Sequence, residues 1–231
     1  MSGFDYLDRN LSEIQAKIKA AGGENSGKVT LVAAVKYGTV EEINYLTSVL
    51  GVRDIGINRA QQLTEIYGAL HKENLRIHFI GKLQTNKVKY IIDKVDMIQS
   101  VDSLRLAGEI DRQAKKHSRK IDVLVEINSG REENKSGVLP EEAEELCLAL
   151  SAYSNIRLAG FMTMAPKCEN YEEYCKYFRQ TYAQVLDIWT KKLHNIDIPV
   201  ISMGMSDSYE IAIGCGSNMV RIGSSLFRKH N

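Results

Sequence analysis

Several features that often reveal a protein's class are missing from this sequence. No apolar run approaches the roughly 20 residues needed to cross a bilayer. The amino-terminal stretch MSGFDYLDRN carries two acids and no apolar segment, so we expect no secretory signal. Neither sign of charge dominates, since 30 Lys and Arg residues balance 29 Asp and Glu residues. The sequence therefore gives no reason to expect a membrane or a nucleic acid as a partner.

Cysteine is scarce and scattered. No CxxC spacing occurs among the four cysteines, which are Cys147, Cys168, Cys175 and Cys215. A disulfide framework or a zinc site is therefore not expected, and the pattern is typical of the reducing cytoplasm. With 44% hydrophobic and 26% charged residues, the composition is that of an ordinary globular protein. We expect a cytoplasmic protein without a metal site.

Apolar runs rich in β-branched residues alternate with amphipathic stretches along the chain. The runs predict eight strands, over Val29–Val35, Val52–Gly56, Arg76–Ile80, Val95–Gln99, Ile121–Ile127, Ile156–Met162, Pro199–Met203 and Asn218–Ile222. Helical spacing predicts helices over Tyr6–Ala20, Val40–Leu50, Ser103–Lys116, Pro140–Ser151 and Tyr171–Leu193. Because crossover helices connect parallel strands, this alternation indicates a parallel sheet.

Eight such units predict a closed (β/α)8 barrel, an α/β fold, with an extra helix before the first strand. The 231 residues agree with this fold, for which about 250 residues are typical. A doubly wound open sheet is the alternative, although no GxGxxG motif follows the first strand. The only candidate linker, Gly22–Gly27, joins the first helix to the first strand. We therefore expect residues 1–231 to form a single domain.

Lys36 poses the first question about function. It follows VTLVAAV, an apolar run that is typical of a strand buried on both faces. An unpaired ammonium group is costly to bury. Lys36 is therefore either the first solvated residue after the strand or part of a ligand site, and barrel sites lie at the carboxyl ends of the strands.

Serine and glycine follow the last two predicted strands. Strand seven ends in SMGMSDS (Ser202–Ser208) and strand eight in VRIGSS (Val220–Ser225). Uncovered backbone N–H groups, together with a helix expected to open at Ser206, suit a phosphate. Phosphate sites in barrels frequently follow strands seven and eight. A capped turn, with Ser206 or Asp207 as N-cap, fits the first stretch equally well.

A lysine at strand one and a phosphate cradle at strands seven and eight together fit pyridoxal phosphate. Its aldehyde forms a Schiff base with a neutral lysine amine, and a partly desolvated barrel rim would supply more of that amine. Arg221 shares a strand face with Gly223 and can donate to the pyridine nitrogen. Because arginine keeps its proton, that nitrogen stays unprotonated. The ring is then a poorer electron sink, which argues against vigorous aminotransferase or decarboxylase activity.

Long motifs over nearly the whole chain resemble the pyridoxal phosphate homeostasis protein family (YggS-like, PROSC in animals). They are LVAAVKY around Lys36, HFIGKLQTNK (His78–Lys87), QSVDSLRLAGEID (Gln99–Asp111), VEINSGREENKSG (Val125–Gly137), GFMTMAP (Gly160–Pro166), SMGMSDSYEIAI (Ser202–Ile213) and VRIGSSLF (Val220–Phe227). The resemblance implies the barrel of the alanine racemase N-terminal domain without that enzyme's C-terminal β-domain. It also implies a protein that binds pyridoxal phosphate, keeps this vitamin B6 cofactor and the amino- and keto-acid pools in balance, and has no well-established catalytic reaction.

The resemblance also assigns site residues. Lys36 corresponds to the Schiff-base lysine and Arg221 to the partner of the pyridine nitrogen. The phosphate cradle corresponds to Ser206, Gly223 and Ser224, and the ring lining to Met203 and Asn58.

Three positions depart from the family pattern. Ile57 stands where the family usually has Glu, Ile77 where it has Trp, and Lys82 where it has Pro. The carboxylate that the family places beside Asn58 is therefore missing from this chain.

Three further residues have open interpretations. His78 is either a pocket residue or a hydrogen-bonded histidine of the barrel. Tyr37 follows Lys36 directly, so we expect it to pack on the opposite face of the strand. Lys135 is a surface-loop lysine unless a second ligand site exists.

The sequence favours a carrier that holds pyridoxal phosphate on Lys36 and releases it, with apo-enzymes as candidate acceptors, and without strong catalysis of its own. An amino-acid racemase is the alternative, but racemisation needs an acid/base group on each face of the imine. A scaffold protein with an incidental cofactor is a third interpretation. We expect a monomer with no nucleic acid or membrane partner.

Overall fold

The chain closes into a barrel of eight parallel strands. The computed structural model describes residues 3–191 and 198–229. The strands are β1 (Thr30–Ala34), β2 (Asp54–Ile57), β3 (Arg76–Phe79), β4 (Met97–Val101), β5 (Ile121–Ile127), β6 (Ile156–Thr163), β7 (Val200–Ser202) and β8 (Met219–Ile222). Each strand pairs in parallel with the next, and β1 also pairs with β8. The predicted (β/α)8 barrel is confirmed.

Helices cover the outside of the barrel. The described residues form the α-helices α1 (Asp5–Gly22), α2 (Val40–Ser48), α3 (Ala60–Ile66), α4 (Leu104–Lys116), α5 (Ala143–Leu150), α6 (Tyr171–Thr190) and α7 (Tyr209–Gly214). The predicted helix before the first strand is confirmed as α1. The helix predicted over Tyr171–Leu193 is found as α6, which ends at Thr190, and its predicted end at Leu193 lies outside the described residues. None of the helices in residues 3–191 and 198–229 combines the length and hydrophobicity needed to cross a bilayer.

One predicted helix start was wrong, and one helix was missed. The helix expected to open at Ser206 begins at Tyr209, because the N–H groups of Ser208 and Tyr209 both donate to Met205 O and form a turn first. Helix α3 was missed because it has only seven residues, and its three apolar residues, Ala60, Leu63 and Ile66, are too few to show a clear helical period.

Two hydrophobic layers hold the barrel. The larger layer lies between the strands and the helices, and includes Ala33, Ile55, Ile57 and Phe79. The smaller layer fills the barrel interior with Val32, Met97, Leu124, Ala159, Met162 and Met219. Since side chains alternate along a strand, Arg221, two residues after Met219, also faces the interior. A charged group is thereby placed inside the barrel near its carboxyl end.

Helix α2 begins directly after the segment that carries Lys36. Thr39 is its N-cap, and the Thr39 hydroxyl accepts from the Glu42 N–H at 3.3 Å. The Glu42 carboxylate accepts in return from the Thr39 N–H at 2.8 Å. This capping box fixes the backbone that leaves the end of β1.

Candidate functional site

Lys36 lies just beyond the carboxyl end of β1, in a short 3-10 helix over Val35–Tyr37. Its side chain is exposed, and its Nζ lies 4.5 Å from the centre of the Tyr37 ring. The partly desolvated lysine expected from the sequence is therefore not what the structure shows. Tyr37 is 61% exposed, so the expectation that it packs against the barrel was wrong. Both side chains are accessible from the carboxyl end of the barrel.

Strand register brings three predicted site segments side by side. Ala34 pairs with Gly56 on β2, and Ala33 pairs with Ile222 on β8. Lys36 and Asn58 each follow two residues after the first of these pairs. The segment that follows Ile222 carries Gly223 and Ser224. The ends of β8, β1 and β2 therefore present the cradle glycine, Lys36 and Asn58 on neighbouring strands.

Ser206 and the segment after β8 form a small polar cradle. The Ser206 hydroxyl accepts from the Gly223 N–H at 3.4 Å and from the Ser225 N–H at 3.3 Å. Both distances are long for N–H···O hydrogen bonds, whose usual separation is about 2.9–3.0 Å. A phosphate oxygen is a stronger acceptor than a hydroxyl and can take over these two donors. Ser206 and Gly223 are thus brought together as predicted, whereas Ser224 is exposed.

Ser225 supplies a hydroxyl that the sequence reasoning did not assign. Its Oγ is buried and has no hydrogen-bond partner among the described residues. A buried polar group without a partner costs about 1–3 kcal/mol of stability. With Ser206, it lines a cavity of about 130 Å³ whose wall includes Lys17 and Arg228. A buried hydroxyl without a partner can donate a hydrogen bond to an anion bound in this cavity.

Gly223 leaves no room for a side chain. An ideal Cβ at this position would lie 2.8 Å from the Ala34 carbonyl oxygen and 3.2 Å from the Ala34 Cβ. The backbones of β8 and β1 therefore approach closely at the cradle. Glycine at this point keeps the Gly223 N–H open to a ligand.

Arg221 is held inside the barrel by neighbouring strand ends. Its NH1 donates to Ser202 O at 2.9 Å and to Ser202 Oγ at 2.6 Å, and its NH2 donates to Thr163 O at 3.0 Å. Burial lowers the pKa of Arg221 to about 10, opposed by the nearby Glu126 carboxylate. The guanidinium thus stays charged at neutral pH. Of its five N–H donors, two have no partner among the described residues, and these can meet a ring nitrogen.

Glu126 is a carboxyl group that the sequence reasoning missed. It lies on β5 with 2% of its surface exposed. Oε1 accepts from the Ser136 hydroxyl at 2.8 Å, and Oε2 has no partner among the described residues. Burial, then the charge of Asp102, raises the pKa of Glu126, whereas Ser136, Arg221 and Lys82 oppose this. A carboxylate near the end of IDVLVEI, after the apolar residues VLV, could have revealed it.

The remaining predicted residues lie in different places around the opening. Asn58 lines a cavity of about 210 Å³ with Phe79 and Lys82. Arg221 lines a different cavity of about 390 Å³, whose wall includes Met205 and Lys135. Met203 is fully buried in the outer hydrophobic layer, so its side chain does not reach the opening. The exposed methionine at this edge is Met205, at 43%.

His78 lies inside the barrel, whereas Lys135 lies at its rim. His78 is fully buried and hydrogen-bonded to Asp54 at 2.8 Å and Gln99 at 3.0 Å, as a barrel histidine would be. Lys135 pairs with Glu132 at 3.1 Å at the rim of the cavity that contains Arg221. Ile57 packs in the outer layer, so the position where the family usually has Glu does not face the barrel interior here.

Comparison with known proteins supplies the family. The sequence-family model of the alanine racemase N-terminal domain matches residues 5–230 of this chain. A curated relative from Aquifex aeolicus, named pyridoxal phosphate homeostasis protein, is 41% identical over 228 residues, with 98% of each chain covered. This chain belongs to the pyridoxal phosphate homeostasis protein family. The expected family membership is thereby confirmed.

Solved structures of similar proteins agree with this membership. A protein of unknown function from Bifidobacterium adolescentis superposes with a TM-score of 0.88 at 30% identity, over 96% of this chain and 95% of that one. PipY of Synechococcus elongatus, solved with pyridoxal phosphate bound, superposes with a TM-score of 0.79 at 25% identity, over 93% of this chain and 100% of that one.

Proposed function

We propose that this protein binds pyridoxal phosphate at the carboxyl end of its barrel, holds it reversibly through Lys36 and releases it, without strong catalysis of its own. The observation that carries the proposal is the cradle formed by Ser206, Gly223 and Ser225. It combines two backbone donors in long hydrogen bonds with a buried hydroxyl that has no partner in the described part of the chain. PipY, a relative of the same fold, was solved with this cofactor bound.

Each part of the site has a defined task under this proposal. The cradle holds the phosphate, while Arg221 directs its free N–H groups at the ring nitrogen. When bound, the cofactor supplies an aldehyde that a neutral lysine amine can attack. Lys36 is an amine at the carboxyl end of the barrel, next to the strand that carries Gly223, and its exposed side chain is free to move toward such a group.

Exposure of Lys36 supports release rather than sequestration. Water can reach an exposed lysine, and a covalent link between an amine and an aldehyde is reversed by water. Arg221 keeps its proton at neutral pH, because even the lowered pKa of about 10 lies well above 7. The ring nitrogen would therefore receive a hydrogen bond but no proton. This disfavours the carbanion chemistry on which most enzymes that use this cofactor depend.

The binding site is tested by absorbance and mass mapping. The purified protein is incubated with pyridoxal phosphate, its visible spectrum is recorded before and after borohydride, and its peptides are mapped. We expect an absorbance band that borohydride abolishes and a pyridoxyl adduct on Lys36. Lys36→Ala should lose both, whereas Lys120→Ala, at an exposed lysine before β5, should keep both. A colourless parent protein, or an adduct confined to another lysine, would overturn the assignment.

The carrier role is tested separately from binding. The loaded protein is mixed with an apo-enzyme that requires pyridoxal phosphate, and the regained activity is followed. The same preparation is given D- or L-alanine, and the chirality of the alanine is followed. Transfer without inversion supports the carrier, whereas steady inversion at ordinary enzyme rates would establish a racemase instead.

A further inference from the structure

A buried chain of hydrogen bonds crosses the barrel from Arg221 to the opposite end. The Arg221 NH1 donates to Ser202 Oγ at 2.6 Å, and the Ser202 hydroxyl donates to Gln99 Oε1 at 2.7 Å. The Gln99 amide nitrogen lies 3.0 Å from His78 Nδ1, and His78 Nε2 lies 2.8 Å from Asp54 Oδ1. These five residues come from β8, β7, β4, β3 and β2. We call them the Arg221 relay.

The side chains of the relay are polar and mostly buried, and burying polar groups lowers stability unless their hydrogen bonds compensate. His78, Gln99 and Ser202 are each fully buried, and Arg221 is 4% exposed. Replacing hydrogen-bonded buried polar groups together by apolar groups of the same shape often leaves the stability unchanged or improves it. A barrel interior of this size could be filled by branched aliphatic side chains, as barrel interiors usually are. The polar chain therefore serves something other than packing.

The two ends of the relay fix the direction of its hydrogen bonds. Arg221 can only donate and a carboxylate at Asp54 can only accept. His78 therefore carries its proton on Nε2, and its Nδ1 accepts from the Gln99 amide. The second hydrogen of that amide points to Met219 Sδ at 3.2 Å. In this arrangement every side-chain hydrogen that Ser202, Gln99 and His78 can donate has an acceptor, and the His78 proton on Nε2 defines one tautomer.

Thr163 and Ser202 hold the Arg221 guanidinium in place. Together they accept three of the five Arg221 N–H groups. A planar guanidinium held at three points has a fixed orientation, so the direction of its two remaining N–H groups is fixed as well. The relay thus decides where Arg221 presents its free donors.

We propose that Ser202, Gln99 and His78 are positioning residues, which orient Arg221 from inside the barrel so that its free N–H groups meet the cofactor's ring nitrogen. This deepens, and rests on, the proposed cofactor site. The relay acts through Arg221 alone, and none of its three inner members touches the ligand. Gln99 is the central link, because it connects the hydroxyl of Ser202 to the imidazole of His78.

The first test uses the protein without cofactor, so it does not depend on the proposed function. Nitrogen NMR of the imidazole should show the His78 proton on Nε2 and an accepting Nδ1. Exchange of the Arg221 guanidinium protons with water should be slow in the parent and at least about tenfold faster in Ser202→Ala, which removes a charged hydrogen bond. Gln99→Met, which breaks the relay one link further away, should give a smaller change of the same sign.

The chain offers a matched control. Ser100 lies next to Gln99 on β4, is 2% exposed, and its Oγ has no partner among the described residues. Ser100→Ala makes the same change of size in the same barrel without breaking the relay. It should leave both the His78 tautomer and the Arg221 exchange rate as in the parent. Equal exchange rates in Ser202→Ala and Ser100→Ala would overturn the relay.

The second test uses the protein loaded with pyridoxal phosphate. Ser202→Ala and Gln99→Met should shift the pH at which the visible absorbance band titrates, and raise the dissociation constant about tenfold. Ser100→Ala should change neither. If exchange at Arg221 speeds up but spectrum and affinity stay the same, the relay exists without the positioning role. If the parent itself binds no cofactor, the proposed function fails, while the NMR result on the relay stands.

Discussion

The Gly223 N–H donates to the Ser206 hydroxyl at 3.4 Å, across the ends of the neighbouring strands β8 and β7. The Ser225 N–H donates to the same oxygen at 3.3 Å. One hydroxyl thus stands in front of two backbone donors that face the same point. Long hydrogen bonds of this kind are weak, so an anion can replace the hydroxyl at small cost. The Ser206 oxygen thus occupies the place that a phosphate oxygen would take.

Once a phosphate oxygen takes over the two backbone donors, the Ser206 hydroxyl can donate its own hydrogen to that oxygen. Ser206→Ala should therefore weaken the binding of pyridoxal phosphate about tenfold, since this hydrogen bond to a charged oxygen is lost. The affinity for pyridoxal, which has no phosphate, should stay nearly the same. Titration of the absorbance band with each compound measures both. Ser154→Ala, at an exposed serine outside the site, is the control. Equal losses for the two compounds would show that Ser206 does not contact the phosphate.

Ser225→Ala should have opposite effects on stability and on binding. Its buried hydroxyl has no partner in residues 3–191 and 198–229, so its removal should stabilise the unloaded protein by on the order of 1 kcal/mol. Binding of pyridoxal phosphate should weaken at the same time, because the hydroxyl no longer reaches the anion. Urea unfolding and the absorbance titration measure the two effects. Ser100→Ala, at another buried hydroxyl without a partner, should reproduce the stabilisation only.

The strands and the residues at their ends could be predicted, because they depend on residues close together in the sequence. The strand of Ile121–Ile127 has the predicted bounds, and Lys36, Gly223 and Ser206 lie at strand ends as the alternating pattern indicates. The (β/α)8 topology places the carboxyl ends of all strands on one side. For this reason, a list of strand ends from the sequence was already a list of candidate site residues.

Contacts inside the barrel could not be predicted in the same way. Ser202 and Gln99 are separated by 103 residues, and their contact depends on which side chains face inward on each strand. A shift of one residue in any strand reverses that orientation. The exposure of Lys36 was missed for a related reason. The strand before it stops at Ala34, so Lys36 lies in the following 3-10 helix rather than on the sheet.

Gly160→Ala should destabilise the barrel strongly, by about 3 kcal/mol or more. Gly160 has φ of 151°, and a Cβ there would lie 2.0 Å from the Val200 carbonyl oxygen on β7. The substitution therefore forces β6 and β7 apart. Gly68→Ala is the matched control, because nothing lies within 4 Å of its Cβ position. Urea midpoints that fall equally in both variants would rule out this close approach as the cause.

Glu126→Gln should flatten the dependence of stability on pH. Burial raises the pKa of Glu126 above its ordinary value of 4.5, so the folded protein favours the neutral carboxyl group. A raised carboxyl pKa gives stability that is fully present below the unfolded value and lost as pH rises through the folded value. The parent should therefore lose stability as pH rises from 4.5 to 8.

The glutamine variant keeps the shape of the side chain but has no proton to lose. Its melting temperature should change less between pH 4.5 and pH 8 than that of the parent, and exceed it at pH 8 by a few degrees. Glu133→Gln, at an exposed position of the loop after β5, should keep the pH profile of the parent. Parallel profiles for the parent and Glu126→Gln would mean that the charge of Glu126 is fully compensated in the folded protein. Asp102 opposes that charge, while Arg221 and Lys82 favour it, so the profile reports which of these neighbours prevails.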